Sequence, residues 1–351
     1  MDGLSFKIFS VSEVREWLIH NVHNAISESC ITPTRALSLV NNPHAVDTDP
    51  VLCVVFNNDV IIGYTAVFPE VMKHPSMEGK YYWGTTEWLN PAYRGKGIAA
   101  QMMRTIKNAV QDRYLGLDSS DSSVRLDQKQ GSRIIYYPRY YLRWGAKRKN
   151  CLAQIKVAWV RSRNMLAIRQ LERQYEYRNR HVPFIDDATY SFIAAHSEPY
   201  LFLRDQQMLN WLLRYPFLLS VGDDKHLISD ECEFGEQVKT GQTKIVQVFV
   251  DKSLIGVYVL RIIDNVCSLL YLYYDKDEKE KVFASVLINA CESQMFELRT
   301  FSKDLYQFAK WHGIMSIHSK SYQQPVSFTL PKDMQVDETK EIQGGDGDMF
   351  C

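Results

Sequence analysis

At 351 residues the chain exceeds what one ordinary hydrophobic core holds and suits two domains. Apolar residues make up 46% and charged residues 23%, the balance of a folded globular chain and not of a disordered or fibrous one. Forty-one basic side chains cancel forty-one acidic ones, so no overall field favours nucleic acid or an anionic membrane as partner.

In chain order, "SFKIFSVSEVREWLIHNV" reads as a short strand and a helix, with Ser10 and Glu13 at the spacing of a capping box. "TPTRALSLVNNP" offers a second helix, with Pro33 in its first turn and Pro43 beyond its end. "VLCVVFNNDVIIGYTAVF" is a hairpin turning at Asn57-Asn58-Asp59. A long strand from Tyr81 to Leu89 runs into "NPAYRGKGIAAQMMRTI". There Ile98, Met102, Met103, Ile106 and Val110 mark the inner face of an amphipathic helix that Gly116 is expected to close. A strand at Val124 to Asp127, an aromatic-rich helix in "SRIIYYPRYYLRWG" and a strand at Cys151 to Val160 are expected to follow.

The basic stretch after Arg161 reads as a helical connector, and then the order repeats. "QQMLNWLLRYP" resembles "TRALSLVNNP", and "KIVQVFVDKSLIGVYVLRI" resembles the first hairpin, with Ile255-Gly256 matching Ile62-Gly63. "CSLLYLYY" then takes the place of the long strand, and a helix follows. The expected division is 1–160, a connector at 161–200, a second copy at 201–330 and a mobile, acidic, Gly-rich tail at 331–351.

Glycines where a strand passes into a helix let the backbone turn tightly and point successive N–H groups into one concavity. The helix behind them adds roughly half a positive charge. Arg94 and Lys96 add more, and such a cup suits a phosphate or pyrophosphate. It is neither a Walker A loop nor a dinucleotide fingerprint.

The run Arg94-Gly95-Lys96-Gly97-Ile98-Ala99 resembles the R/Q-x-x-G-x-G/A signature of the GNAT superfamily of acyl-CoA-dependent N-acyltransferases. The preceding Leu89-Asn90-Pro91 and the element order over roughly residues 5 to 160 resemble that family too. The resemblance implies an α+β protein of tandem GNAT-like folds, each a mixed, mostly antiparallel sheet flanked by helices. It implies a GNAT-type N-acetyltransferase that takes acetyl-CoA, or another short acyl-CoA, as co-substrate and acylates a small-molecule or peptide amine by direct attack. Residues 94 to 99 would hold the CoA pyrophosphate. Trp88 and Leu89 would stand where the strand splays at a bulge to take the pantetheine arm.

Glu87 is the only carboxylate in the signature strand and the candidate base, with Glu70 or a water chain as alternatives. "YYLRWGAKR" resembles the family's Y-x-x-x-G-F segment and makes Tyr141, on the expected helix, the candidate acid that protonates sulfur. Tyr140, Tyr137 and Tyr136 are its alternatives.

In the second copy "DKDEKEK", Asp275 to Lys281, replaces the glycine cup, so that half should not bind CoA. Its Trp211, Tyr215 and Tyr258 would either line an acceptor wall or belong to the core. A non-catalytic CoA-sensing protein and a Fem-like aminoacyl transferase are the competing readings. Seven dispersed cysteines without a CxxC pair fit reduced thiols in a cytoplasmic protein. The nine histidines lack metal-ligand spacing, so no metal is expected. The N-terminus shows no secretory pattern, and no apolar run approaches the ~18 residues of a membrane helix.

Overall fold

A computed structural model describes residues 3–21, 33–73, 77–117, 121–145, 151–215, 241–263, 266–292, 297–317, 321–331 and 334–347. Strand β1 (Leu4–Ser10) passes into helix α1 (Val11–Asn21) through the expected reciprocal cap. The Ser10 amide donates to Glu13 Oε2 at 2.8 Å and the Glu13 amide to Ser10 Oγ at 3.4 Å. After α2 (Pro33–Val40), strands β2 (Pro50–Asn57) and β3 (Val60–Met72) turn at Asn58 and Asp59, whose φ values of 48° and 68° are those a tight hairpin demands. Strand β4 (Gly79–Leu89), a 3-10 turn at Pro91–Tyr93 and α3 (Ile98–Ala109) complete the signature region.

The next three elements differ from the sequence reading. Helix α3 is closed by Gln111 and Asp112 at φ 54° and 55°, while Gly116 lies inside β5 (Tyr114–Leu117). The expected strand at Val124 to Asp127 is helix α4 (Asp121–Lys129), with an acid in its first turn and a lysine in its last, as the helix dipole favours. The expected aromatic helix is strand β6 (Arg133–Arg143), because isoleucines and tyrosines fit a pleated surface better than a helix. Pro138 is tolerated there because β11 (Glu297–Thr300) pairs only with Tyr140 to Arg143, leaving Pro138 a strand partner on one side alone. The expected strand at Cys151 to Val160 is the start of the long helix α5 (Cys151–Gln174), which buries Val160, Asn164, Ile168 and Leu171 on one face.

The second half supplies β7 (Arg178–Val182), α6 (Asp187–Ala195), α7 (Gln206–Arg214), β8 (Gly241–Val250), β9 (Ser253–Ile263) and β10 (Val266–Tyr274). Helix α8 (Lys279–Glu292), β11, α9 (Lys303–Trp311) and β12 (Ser321–Thr329) follow. The described strands form one sheet in the order β1-β2-β3-β4-β5-β12-β6-β11-β10-β9-β8-β7. It is a mixed, mostly antiparallel sheet flanked by helices, with parallel pairing only between β4 and β5 and between β10 and β11.

The two halves are therefore copies joined by exchange. Strand β12, from the end of the chain, sits between β5 and β6, and β6 of the first half pairs with β11 of the second. The expected repeat is visible in a duplicated hydrogen bond: Asn90 N–H to Ile62 O at 2.8 Å, and Asp275 N–H to Ile255 O at 2.9 Å. A boundary at residue 160 falls inside α5, and β12 belongs to the first half's strands despite its place in the chain.

The tail also departs from expectation: Val336, Ile342, Gln343 and Asp346 are buried, and residues 334–347 run between the halves instead of moving freely. Arg204 anchors them. Its guanidinium meets Glu70 through two bonds, Nε to Oε1 at 2.7 Å and Nη2 to Oε2 at 3.0 Å, and also donates to Tyr271 Oη and the Gly345 carbonyl. Trp83 Nε1 donates to the other lone pairs of Glu70 Oε2 at 2.5 Å. Glu70, the alternative base, is thus fully buried and taken up by Arg204 and Trp83.

Burial pushes the Asp346 carboxyl up to about 7 against the pull of Arg204. Its Oδ2 accepts from the Gln343 amide at 2.7 Å, and its Oδ1 has no hydrogen-bond partner among the described residues. Between its unfolded range near pH 4 and about 7, the folded chain holds the extra proton, so this group makes stability fall as pH rises through that window. Urea unfolding across pH 4 to 8 is expected to show that fall in the native chain and a shallower one in Asp346→Asn. Equal slopes would remove the assignment.

Candidate active site

The loop after β4 has the predicted cup. Gly95 and Gly97 stand at φ +77° and +79°, and a Cβ built on either meets nothing within 4 Å, so both backbones face open space. Gly97 is the N-cap of α3 and offers no side-chain hydrogen bond, and the helix has no acid in its first turn. The first-turn amides are thus left without a side-chain acceptor, the arrangement that receives an external anion. Ile98, 2% exposed, fixes the helix to the sheet together with Met102, Met103 and Ile106. Arg94 and Lys96 are exposed, and Ala99 is half-buried one residue into the helix. Arg94 Nε donates to Leu89 O at 3.2 Å, and Lys96 Nζ lies 5.1 Å from the Tyr93 ring centre.

Below the cup, β4 and β5 part. They pair at Tyr82 with Tyr114, Trp83 with Leu115 and Gly84 with Gly116, the last rung between the two strands among the described residues. On its other edge β4 stays with β3 as far as Leu89. The register shifts where Gly84 faces Val67 and Thr86 faces Ala66, which makes Thr85 the extra residue of a bulge. The splay predicted at Trp88 and Leu89 therefore starts at Thr85, and those two residues stand inside it. Both are buried, and Trp88 Nε1 has no hydrogen-bond partner among the described residues.

Glu87 lies on this splayed segment and accepts from Ser123 Oγ at 3.4 Å. Burial, reinforced by the Asp127 carboxylate, raises its carboxyl above the ordinary range, against the Ser123 bond and the Lys107 charge. Lys107 Nζ itself is held by Asp127 Oδ1 at 2.6 Å and Ser132 Oγ at 2.9 Å, and Ser132 Oγ lies 2.7 Å from Thr329 Oγ1 of the exchanged strand. Sequence reasoning missed Ser123 and Asp127, because a correct α4 is needed to bring them to Glu87, and it missed Lys107 of α3, whose buried ammonium is held by Asp127 of that helix.

Tyr141 does not join this group. It lies on β6, paired with Arg299, with the guanidinium carbons of Arg139 and Arg299 each 5.9 Å from its ring centre. Three strand spacings, about 14 Å at ~4.8 Å each, separate β6 from β4. The acid role expected of Tyr141 rested on a helix that is a strand, and the same holds for its alternatives Tyr136, Tyr137 and Tyr140. Of the possible acceptor wall, Tyr258 is core and bonds Ser285 and Asn289, while Trp211 is buried and donates to Ser38 O at 2.9 Å, joining α7 to α2.

The second copy is closed at both corresponding places. A 3-10 turn at Lys276–Glu278 leads straight into α8, and the Asp275 carboxylate caps it by accepting from the Asp277 amide at 3.0 Å. Strand β10 leaves β11 after Ser268, yet the groove beyond is occupied by the tail. The Gly345 amide donates to Leu270 O at 2.7 Å, and the Leu272 amide donates to Gln343 Oε1 at 2.7 Å. Gly344 is required here, since a Cβ would come within 2.2 Å of Leu269 O.

Among the described residues no group of His, Cys, Asp and Glu is arranged to hold a metal ion, and no helix is long and apolar enough to cross a membrane.

The model of the acetyltransferase (GNAT) family matches residues 14–131. Among solved structures, the chain is similar to N-myristoyltransferase of Saccharomyces cerevisiae with bound myristoyl-CoA, at 9% identity and a TM-score of 0.52, over 97% of this chain and 89% of that one. It is similar to a GCN5-related N-acetyltransferase of Anabaena variabilis at 9% identity and a TM-score of 0.51, over 93% and 73%. A tandem GNAT protein of the clavulanic acid biosynthesis pathway aligns at 10% identity and a TM-score of 0.48, over 94% and 100%. The comparison with curated proteins found no match. With its signature cup open at the head of α3, the chain carries a domain of the GNAT acetyltransferase family, whose members are acyltransferases that draw on acetyl-CoA or another acyl-CoA.

Proposed function

We propose that the chain moves an acyl group, acetyl by preference, from acyl-CoA to a primary amine by direct attack, and that only the first copy reacts. One contrast carries the reading: the glycine cup and strand splay are open in the first half, while the corresponding turn and groove in the second are filled by Asp275 and the tail. Amides and side chains from Arg94 to Ala99 would hold the pyrophosphate. The β5-facing edge of β4 at Trp88 and Leu89 would pair with the pantetheine arm, and Trp88 Nε1 is one donor in need of an acceptor.

Glu87 would take the proton the amine loses as nitrogen bonds to the thioester carbon. A desolvated carboxylate with a raised pKa suits that task, since it holds a proton more readily near neutral pH. As acceptors, a polyamine, an amino sugar, an amino acid and a peptide N-terminus all belong in the trial.

A thermal-shift titration with acetyl-CoA comes first, with stabilisation of about 2.7 kcal/mol expected at 100 times Kd. Thiol release is then followed over an amine panel. Glu87→Gln is expected to lower kcat by about 10²-fold or more and to erase an acid limb whose midpoint lies above the ordinary glutamate value of 4.5. Stabilisation without thiol release from any amine would favour a CoA-sensing protein. Absence of stabilisation would overturn the reading.

A further inference from the structure

Tyr114 was not singled out by any motif, yet its placement follows from two glycines. At the last rung shared by β4 and β5, Gly84 faces Gly116. A Cβ on Gly84 would come within 2.1 Å of the Tyr114 Oη, and one on Gly116 would lie 3.5 Å from the ring and 3.6 Å from the Oη. The ring thus lies flat over both glycines and carries its hydroxyl to the closed end of the splay. A side chain at position 84 would displace the hydroxyl from this place. The bed of glycine was present in the sequence as "YYWGTT" and "YLGL", but it carries meaning only when the two strands are seen to pair.

Polar groups converge on this phenol. Lys107 Nζ is 5.1 Å from its ring centre. Burial opposes its ionisation first, and the nearby Asp127 and Glu87 carboxylates oppose it further. The other tyrosine of the pair, Tyr82, is turned to the opposite task and donates to Asp49 Oδ1 at 2.8 Å.

Distance along the strand completes the argument. Thr85 to Leu89 spans about 16 Å at ~3.3 Å per residue, a run comparable with an extended pantetheine arm. An arm anchored by its pyrophosphate at the cup reaches the Gly84–Gly116 end with its sulfur. Helix α4, which follows β5 and supplies Ser123 and Asp127 to this site, contains no tyrosine.

We propose that the Tyr114 hydroxyl is the proton donor to the departing CoA thiolate, an inference that rests on the acyl-transfer reading above. As the amine nitrogen bonds to the carbonyl carbon, the C–S bond breaks and sulfur takes its electron pair. The Tyr114 proton goes to that sulfur, the amine's surplus proton goes to Glu87, and Glu87 returns a proton to the phenolate through solvent. The sum is thioester plus amine giving amide plus thiol. The Lys107 ammonium, held at the ring by Asp127 and Ser132, offsets the charge of the transient phenolate.

The test reads the thiol and needs no acceptor. Native protein and Tyr114→Phe are loaded with CoA, and the ultraviolet absorbance of the bound thiolate is followed against pH, with CoA affinity measured in parallel. A hydroxyl that donates to sulfur is expected to make thiolate formation about tenfold more favourable in the native protein than in the variant, one unit in the bound thiol's pKa. CoA affinity at low pH should be equal. Because loss of a buried hydroxyl can disturb packing, fluorotyrosine at 114 serves as the second probe; a more acidic phenol of the same shape should lower the bound thiol's pKa further. Coincident thiol titrations in all three proteins would overturn the role of Tyr114 and leave the acyl-transfer reading standing. Failure of the native protein to bind CoA would overturn both.

Discussion

Gly97→Asp is expected to abolish CoA binding while leaving the protein folded. The position combines three properties: φ of +79°, open space where a side chain would project, and the N-cap of a helix whose first-turn amides have no side-chain acceptor. An aspartate would pay a left-handed penalty of roughly 1 kcal/mol. Its carboxylate would recover much of that by accepting from the amides of α3, as capping aspartates do. The same bond would destroy the site, since it fills the concavity with a negative charge where a pyrophosphate should sit. Two unit charges at about 4 Å in an effective dielectric near 20 repel by about 4 kcal/mol, roughly a thousandfold in Kd. Gly97→Ala separates the parts, because it adds the strain and the methyl group without the charge. Calorimetric titration with acetyl-CoA should rank native above alanine above aspartate, with thermal midpoints within a few degrees. Undiminished affinity in Gly97→Asp would move the phosphate site elsewhere.

The second half shows the outcome of such a change within the same molecule. There Asp275 already caps its own turn and no glycine follows, so the groove's polar edge is left to the protein. Leu270 and Leu272 receive their missing partners from Gly345 and Gln343. The acidic run Asp275 to Lys281 announced the lost cup in the sequence. That the tail fills the rest was not legible, because residues 334–347 read as polar and Gly-rich and their burial depends on the parting of β10 and β11, which lie well upstream in the chain.

What the sequence made legible was local. The Ser10–Glu13 box, the Asn58–Asp59 turn and the glycine cup each depend on neighbouring residues, and each stands where expected. The errors between Val124 and Val160 came from judging isolated segments by aromatic content and by Pro138. Aromatic strand β6 lies at the middle of the sheet formed by the described strands, where β12 on one side and β11 on the other support it. Exchange of β6 and β12 leaves no mark in a linear reading, since either strand would suit either half. It also explains why Thr329, close to the end of the chain, completes the hydrogen-bond chain from Ser132 to the Lys107 ammonium next to the candidate base.

Exchange makes the halves interdependent, and the second large effect follows from its most buried charge. Arg204→Ala is expected to destabilise the whole chain by about 3 to 5 kcal/mol, the range for removing one partner of a buried ion pair. The guanidinium is fully enclosed and serves Glu70 on β3, Tyr271 on β10 and the Gly345 carbonyl of the tail at once. Its loss strands the Glu70 carboxylate, which keeps only the Trp83 indole as donor, and frees the strap from both halves. Replacing both members by apolar groups, Arg204→Met with Glu70→Leu, should recover part of the loss, because the pair's own net contribution is small once desolvation is counted. Urea denaturation checks the size, and a coupling of more than 1 kcal/mol between the two sites is expected from the double-mutant cycle, roughly the scale for contacting buried partners. Additive effects would mean that Arg204 acts through the tail alone. In that case trimming the chain after Met334 should reproduce the Arg204→Ala loss, whereas the ion-pair account predicts that the trimmed protein keeps the Glu70–Arg204 coupling.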